Sequence, residues 1–268
     1  MDIEDYERLL AEASKLAAEA GQIILDRWRR VPSRRKADGS EVTDADLAAE
    51  EHIIETLRRS YPDHDIVGEE SGLQTARARR GRYCWAVDPL DGTRNYARGF
   101  PCFATSIALL EDGVPVVGVV REHTTAKTYA AAAGRGATVD GLPLAVAHRP
   151  LDRDFLVGVP SAKQEESPAP VQRLLERVNL RNTGSTALHL ALVAAGAIDA
   201  AFARRCYTWD IAAGHLLVRE AGGVCTDLAG RPLAPLPPEA DPMGQTPFLA
   251  AGRHVHAELI DLLTPVAE

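Results

Sequence analysis

The sequence is short of the features that mark secreted, membrane-spanning and zinc-binding proteins. Its 268 residues include four cysteines, none in a Cys-x-x-Cys pair, so neither a zinc knuckle nor a thioredoxin-type motif is indicated. Such scattered thiols are typical of the reducing cytoplasm, where we expect the protein to be. The acidic start MDIEDYERLL lacks the features of a signal peptide, and no apolar run has the length of a membrane span.

Positive charge is also scarce. The chain has 30 lysines and arginines against 38 aspartates and glutamates, a formal net charge of −8. Because nucleic-acid binding depends on lysine and arginine side chains that neutralise phosphates, this balance argues against nucleic acid as the main partner. The composition is otherwise that of an ordinary globular protein, long enough for one large domain or two small ones.

The order of patterns along the chain predicts two parts. Helical spacing covers residues 4–30, a polar loop follows, and a second helix begins after Thr43 with Asp46 placed as in a capping box. Strand patterns come next, with a hairpin turn at Asp112-Gly113. After residue 150, strands alternate with helices, one of them over residues 169–178. We predict an α+β protein with an antiparallel sheet in residues 1–150 and an α/β part in residues 151–268.

The stretch DPLDGT, residues 88–93, places Asp88 and Asp91 around a proline. Converging carboxylates repel unless one takes a proton, and a divalent cation keeps both ionised. Oxygen ligands favour Mg²⁺, Mn²⁺ or Ca²⁺ over zinc. Gly92 lets a ligand approach the backbone, and N–H groups at a helix start bind anions. The turn therefore indicates a metal and phosphate site, although an isolated motif of this kind also fits a plain β-turn.

Other acidic residues also lie at element ends. Glu69 and Glu70 follow a strand in GEES, Asp44 lies at a helix start in VTDAD, and Asp210 does so in TWDIAAG. Capping alone would explain Asp44 or Asp210 singly, because a carboxylate stabilises a helix N-terminus. Carboxylates gathered in one place would destabilise the fold without a metal.

Together, GEES, DPLDGT with RNYARGFP, and WDIAAG with LLVREAGG resemble the inositol monophosphatase family of Mg²⁺-dependent, lithium-sensitive phosphatases. The motifs occur in the family's order over residues 36–228. The resemblance implies a five-layered αβαβα sandwich, the fold shared with fructose-1,6-bisphosphatase. It also implies a homodimer, and a hydrolase that cleaves phosphomonoesters by direct attack of water, with two to three Mg²⁺ ions or substituting Mn²⁺.

The resemblance also implies residue roles. The ligands of the first metal would be Glu69, Asp88 and the carbonyl of Leu90. The ligands of the second metal would be Asp88, Asp91 and Asp210, and Glu69 would also support a third ion through water. The attacking water would be activated by Asp44 and Thr93, with Glu69. The N–H groups of Gly92 and Thr93, and Lys36, match family positions that contact the substrate. To these we add Ser185, Arg204 and Asp210 as candidate substrate contacts of our own.

The substrate itself is less defined. Ala203 occupies the position of a glutamate that contacts inositol in the animal enzymes, which argues against inositol 1-phosphate. The stretches TGSTALHLALVAAGAIDA and WDIAAG nevertheless look most like bacterial inositol-monophosphatase-type enzymes, so an inositol-1-phosphatase-like activity is the first hypothesis. The stretch RGFPCFATSIALLEDGVPVVGVV resembles the histidinol-phosphatase branch, which makes histidinol phosphate the second. Next come 3′-phosphoadenosine 5′-phosphate and fructose 1,6-bisphosphate. Arg204 or Arg205 would read a second anionic group, unless both simply lie at the surface. A non-catalytic role in transcription complexes, known for some bacterial members, is the alternative of another class.

Overall fold

The computed structural model describes residues 3–36, 39, 41–76, 82–159, 172, 174, 176–237 and 246–263. Half of the helix predicted over residues 169–178 lies outside these ranges. Within them, every helix is too short or too polar to cross a membrane.

Two helices form the first outer layer: α1, Ile3–Arg27, and α2, Asp44–Ser60. Both were predicted, and Thr43 caps α2 in a capping box with Asp46, as its sequence indicates. The polar segment between them was expected to be a loop. It instead contains strands β1, Ser33–Arg35, and β2, Glu41–Thr43, which pair antiparallel and so fix the chain that enters α2.

An eight-stranded sheet forms the second layer. Its strands pair in the order β10-β9-β8-β7-β6-β5-β3-β4, and all neighbours are antiparallel except β3 and β5. The predicted hairpin joins β6 to β7 at Asp112 and Gly113, which both have positive φ, 50° and 79°. The strands are β3 Asp65–Gly68, β4 Gly72–Gln74, β5 Tyr83–Asp91, β6 Ala104–Glu111, β7 Val114–Glu122, β8 Thr128–Ala132, β9 Ala137–Val139 and β10 Leu142–Pro143.

Two middle helices separate this sheet from a second one. A short helix, α3, Thr93–Ala97, follows β5, and the middle helices are α4, Thr186–Ala194, and α5, Thr208–Glu220. The second sheet has the order β12-β11-β13-β15-β14. Its strands are β11 Leu156–Gly158, β12 Asn179–Arg181, β13 Ala200–Ala203, β14 Val224–Thr226 and β15 Phe248–Ala251, and helix α6, Arg253–Leu263, follows.

The layers are held by three apolar cores. One lies between α1, α2 and the large sheet, and one between the small sheet and α6. The central core joins both sheets to α4 and α5; α5 is buried on nearly all sides, as expected for a helix between two sheets. The αβαβα sandwich is thus confirmed. The division at residue 150 stays a prediction, although the first sheet uses strands before it and the second uses strands after it.

Candidate active site

The DPLDGT turn leaves the large sheet through a bulge at the end of β5. The register between β5 and β6 shifts between Asp88 and Asp91, so that Pro89 and Leu90 both lie opposite Thr105. Proline has no N–H to offer a neighbouring strand, which favours such an interruption. The Leu90 N–H donates to Asp88 Oδ1 at 2.9 Å. The first aspartate of the motif thereby closes its own turn and is fixed in orientation.

Gly92 makes the sharp step from β5 into α3. Its φ is +99°, and a Cβ at this position would lie 3.0 Å from the carbonyl oxygen of Cys102. Both the backbone conformation and the contact therefore require glycine. The next residue, Thr93, places its hydroxyl 3.0 Å from the Leu90 carbonyl oxygen and 2.9 Å from Asp46 Oδ1.

The contact with Thr93 corrects one sequence interpretation. We expected Asp44 beside Thr93, but Asp44 is exposed and pairs with Arg34. Asp46 is fully buried and accepts the Thr93 hydroxyl and the Thr43 N–H, the latter at 2.8 Å. Residues two apart on a helix point about 200° apart, so only one can face the turn. Burial raises the pKa of Asp46 to about 6, against the lowering effect of its hydrogen bonds.

Four of the predicted acidic residues come together at the end of β5. Asp88 is 2% exposed, and burial raises its pKa well above the ordinary range, with further increases from neighbouring acids. These neighbours are Glu69, Asp91 and Asp210. Burial also raises the pKa of Asp91 to about 6 and that of Glu69 to about 7. The cluster therefore carries negative charge that the fold alone stabilises poorly.

The two middle helices direct their N-termini at this cluster. Asp91 accepts the Ser185 hydroxyl at 2.7 Å and the Ala187 N–H at 2.6 Å, at the start of α4. Asp210 lies in the first turn of α5 and accepts the Tyr207 N–H at 2.8 Å. Helix N-termini stabilise negative charge. Ser185, expected to contact substrate, is here the N-cap of α4 and a donor to Asp91.

Lys36 supplies positive charge to the other side of the cluster. Its Nζ lies 3.3 Å from Glu69 Oε1 and 2.5 Å from Glu70 Oε1. Burial opposes its ionisation, but Glu69 and Glu70 raise the pKa of Lys36. Buried Glu50 holds the GEES turn from behind, because it accepts the N–H groups of Glu70 at 2.9 Å and Ser71 at 2.8 Å.

The donor set fits a hard divalent cation. It consists of carboxylate oxygens and the Leu90 carbonyl, which is the chemistry that Mg²⁺ and Mn²⁺ prefer. Among the described residues, no three acidic, histidine or cysteine side chains already form a coordination shell. Donor groups of the protein occupy some of the carboxylate oxygens. Lys36 donates to Glu69, and the Ala187 N–H at the start of α4 donates to Asp91. Acids gathered in this way still require a counter-charge.

A cavity of about 190 Å³ opens beside the cluster. Its lining includes the predicted Glu69, Gly92 and Thr93. The lining also includes residues that the sequence interpretation missed: Glu41, Arg94, Asn95 and Gly184. The RNYARGFP stretch contained Arg94 and Asn95, but its own pattern assigned them no role. Arg204 and Arg205, both within the described residues, are exposed and do not line this cavity.

Fold and site together define a family. The chain belongs to the inositol monophosphatase family, whose pattern it matches over residues 5–266. Among curated relatives, Nus factor SuhB of Xylella fastidiosa is 38% identical over 225 residues, which cover 81% of this chain and 80% of that protein. Nus factor SuhB of Escherichia coli K12 is 38% identical over 231 residues, covering 83% and 86%.

Solved structures show the same fold. The inositol monophosphatase of Anabaena aligns with a TM-score of 0.82 and 34% identity, covering 97% of this chain and 96% of that one. The extragenic suppressor protein SuhB of Bartonella henselae aligns with a TM-score of 0.87 and 28% identity, covering 97% and 100%. The similarity therefore extends over nearly the whole length of both neighbours.

Proposed function

We propose that the protein is a Mg²⁺-dependent phosphomonoesterase that hydrolyses a small phosphorylated metabolite. The observation that carries the proposal is the convergence of Glu69, Asp88, Asp91 and Asp210 beside a cavity lined by Gly92 and Thr93. Mutually repelling carboxylates, with Asp88 buried and the other three partly buried beside an open cavity, are the expected form of a divalent-cation site in a phosphatase. Family membership supports the same reaction class.

The proposed metal ligands are those indicated by the resemblance. Glu69, Asp88 and the Leu90 carbonyl would hold one ion, and Asp88, Asp91 and Asp210 a second, with a third supported through Glu69. When bound, Mg²⁺, or Mn²⁺ in its place, lowers the pKa of coordinated water and neutralises charge on the phosphate.

The protein's own part is to orient water and phosphate. We assign Asp46, instead of Asp44, as the partner of Thr93, because their side chains are hydrogen-bonded at 2.9 Å. With a pKa of about 6, Asp46 is ionised at neutral pH and able to accept a proton through the Thr93 hydroxyl. The N–H groups of Gly92 and Thr93 would hold the phosphate. Phosphoryl transfer requires little more from a protein than position and charge neutralisation.

Inositol 1-phosphate is our first candidate substrate. The cavity offers Glu41 and Asn95 as polar groups for hydroxyls, and Arg94 as a cation for the phosphate. Histidinol phosphate is the second candidate, because the carboxylate of Glu41 would also bind its amine. Arg204 and Ser185 remain proposed substrate contacts, with weaker support since Arg204 lies outside the cavity lining and Ser185 binds Asp91.

A second role is favoured by the relatives. Those that are 38% identical carry the name Nus factor SuhB, so we also propose that this chain binds a transcription complex. The family resemblance supports a homodimer, and the free thiols of all four cysteines favour the reducing cytoplasm. Both roles are compatible in one protein if the partner binds a surface away from the cavity beside the acidic cluster.

Phosphate release tests the enzymatic proposal. The panel holds inositol 1-phosphate, histidinol phosphate, 3′-phosphoadenosine 5′-phosphate and fructose 1,6-bisphosphate, each with Mg²⁺ and with EDTA. We expect Mg²⁺-dependent turnover of at least one substrate, and loss of most turnover in Asp91→Asn. A folded protein that releases no phosphate from any of the four, yet forms a stable complex with transcription proteins, would replace the enzymatic proposal by the binding one.

A further inference from the structure

A buried threonine–histidine pair lies directly behind the DPLDGT turn. Thr105, in β6, is 0% exposed, and His123, just after β7, is 3% exposed. The Thr105 hydroxyl lies 2.7 Å from the Pro89 carbonyl oxygen and 2.9 Å from His123 Nε2. Neither residue lines the cavity, and no motif indicated either one.

The chemistry of the three groups sets the direction of each hydrogen bond. A carbonyl oxygen only accepts, so the single hydroxyl proton of Thr105 goes to Pro89. The oxygen of Thr105 must then accept, and His123 donates to it from Nε2. This fixes the neutral tautomer with its proton on Nε2.

The rest of the pocket keeps that tautomer in place. His123 Nδ1 is buried, with no hydrogen-bond partner among the described residues. It packs against Gly21 of α1, where a Cβ would approach Nδ1 to 2.6 Å. Burial, and then the charge of Arg121, lowers the pKa of His123 to about 3. The ring therefore stays neutral over the working pH range.

The pair acts on a single peptide unit. The bulge places Pro89 and Leu90 opposite one residue of β6, and the side chain of that residue, Thr105, takes up the Pro89 carbonyl. The Pro89 carbonyl and the Leu90 N–H belong to one planar peptide group, so fixing the first fixes the second. The Leu90 N–H in turn donates to Asp88 Oδ1 at 2.9 Å.

A continuous chain of hydrogen bonds thus runs from His123 through Thr105 and the Pro89–Leu90 peptide to Asp88. We infer that Thr105 and His123 are positioning residues, which orient Asp88 for divalent-cation binding. The inference rests on the proposed function. Groups behind a ligand typically change metal affinity about 10- to 100-fold when they are removed.

The fold contains a matched control for this pair. Thr226 lies 3.0 Å from His256 Nε2, and its hydroxyl donates to the Asp227 carbonyl oxygen at 2.7 Å. It has the same chemistry and similar burial, but it belongs to β14 of the small sheet. Thr226→Val therefore removes an equivalent hydroxyl without touching the DPLDGT turn.

The test compares Thr105→Val, Thr105→Ser and Thr226→Val by calorimetric titration with Mn²⁺ and by thermal unfolding without metal. We expect Thr105→Val to weaken Mn²⁺ binding about tenfold or more, because the peptide loses its donor. Thr105→Ser keeps the hydroxyl and should bind within about twofold of wild type. Thr226→Val should lower the unfolding temperature and leave Mn²⁺ binding unchanged.

Two results overturn the inference. One is wild-type Mn²⁺ affinity in Thr105→Val, and the other is an equal loss in Thr226→Val, which would mark a general effect of destabilisation. If Thr105→Val fails to fold, His123→Leu against His123→Gln makes the same comparison, since glutamine retains an N–H near Nε2. Wild-type protein that binds no Mn²⁺ would instead reject the metal site itself, and with it the proposed function.

Discussion

Replacing Asp46 with asparagine tests the proposed water activation, because the change is nearly isosteric and the local hydrogen bonds are known. Asp46 Oδ2 accepts the Thr43 N–H at 2.8 Å, and Oδ1 accepts the Thr93 hydroxyl at 2.9 Å. In Asp46→Asn, the amide oxygen still caps α2, while the NH₂ group faces Thr93. The Thr93 hydroxyl then accepts from residue 46 and donates to the Leu90 carbonyl, 3.0 Å away.

The expected effects differ in size. The helix cap survives, and because burial already disfavours the charge of Asp46, the loss of charged hydrogen bonds should change the free energy of unfolding by no more than about 1–2 kcal/mol. The proton acceptor is lost, and removal of a general base typically costs about 10²- to 10⁴-fold in rate. At about 1.36 kcal/mol per tenfold, this is about 3–5 kcal/mol of transition-state stabilisation.

Asp44→Asn is the matched control on the same helical turn. Asp44 is exposed and pairs with Arg34, and surface ion pairs contribute at most about 1 kcal/mol to stability. Because Asp44 pairs with Arg34 and not with Thr93, kcat of Asp44→Asn should stay within about twofold of wild type. Both variants are assayed for Mg²⁺-dependent phosphate release and for urea unfolding. A large loss of kcat in Asp44→Asn with retained activity in Asp46→Asn would refute the assignment drawn from the Thr93 contact.

Three further predictions concern stability. Burial raises the pKa of Glu69 from 4.5 to about 7, so the folded protein holds this proton more tightly than the unfolded chain does. The stabilisation is present below the pKa of the unfolded chain and is lost as the pH rises through the pKa of the folded protein. Without metal, the unfolding temperature should therefore fall over this pH interval, and it should fall less with Mg²⁺ or in Glu69→Gln. Gly92→Ala should lower the free energy of unfolding, measured by urea unfolding, by about 1–3 kcal/mol more than Gly72→Ala does. Both glycines have a positive φ, but a Cβ at Gly72 would meet open space, whereas a Cβ at Gly92 would meet the Cys102 carbonyl. Gly21→Ala should destabilise the protein because the new methyl group meets the His123 ring, and this clash outweighs a helix-propensity gain of about 1 kcal/mol. In a His123→Ala background the clash is absent, so the same substitution should raise the free energy of unfolding in the same assay.

Much of the fold was predictable because its signals are local. The Thr43 cap and the hairpin at Asp112-Gly113 each depend on a few adjacent residues, and both were confirmed. The β1–β2 ribbon was missed. Its strands have three residues each and are polar, which leaves no alternation of apolar residues for the sequence to show.

The candidate site was predictable as far as its residues occur in motifs. Asp46 was read only as a cap, because capping and the contact with Thr93 are made by the same carboxylate and only the first is local. Thr105 and His123 reach the DPLDGT turn through strand register, so their role depends on contacts that a single sequence does not reveal. Arg94 reaches the cavity through the direction of α3, which is equally non-local.

The charge balance of the cluster links the metal site to the loop before α2. The Nζ of Lys36 lies 3.3 Å from Glu69 and 2.5 Å from Glu70, and its positive charge neutralises part of the charge of these carboxylates. A cation bound at Glu69 replaces this neutralisation, so the Lys36–Glu69 pair must weaken as metal binds. Because Lys36 directly follows β1, and Glu41 of the cavity begins β2, metal binding and the position of this ribbon are expected to be coupled. The two-stranded ribbon thus has a physical reason to respond to metal, since its lysine and the incoming cation compete for one carboxylate.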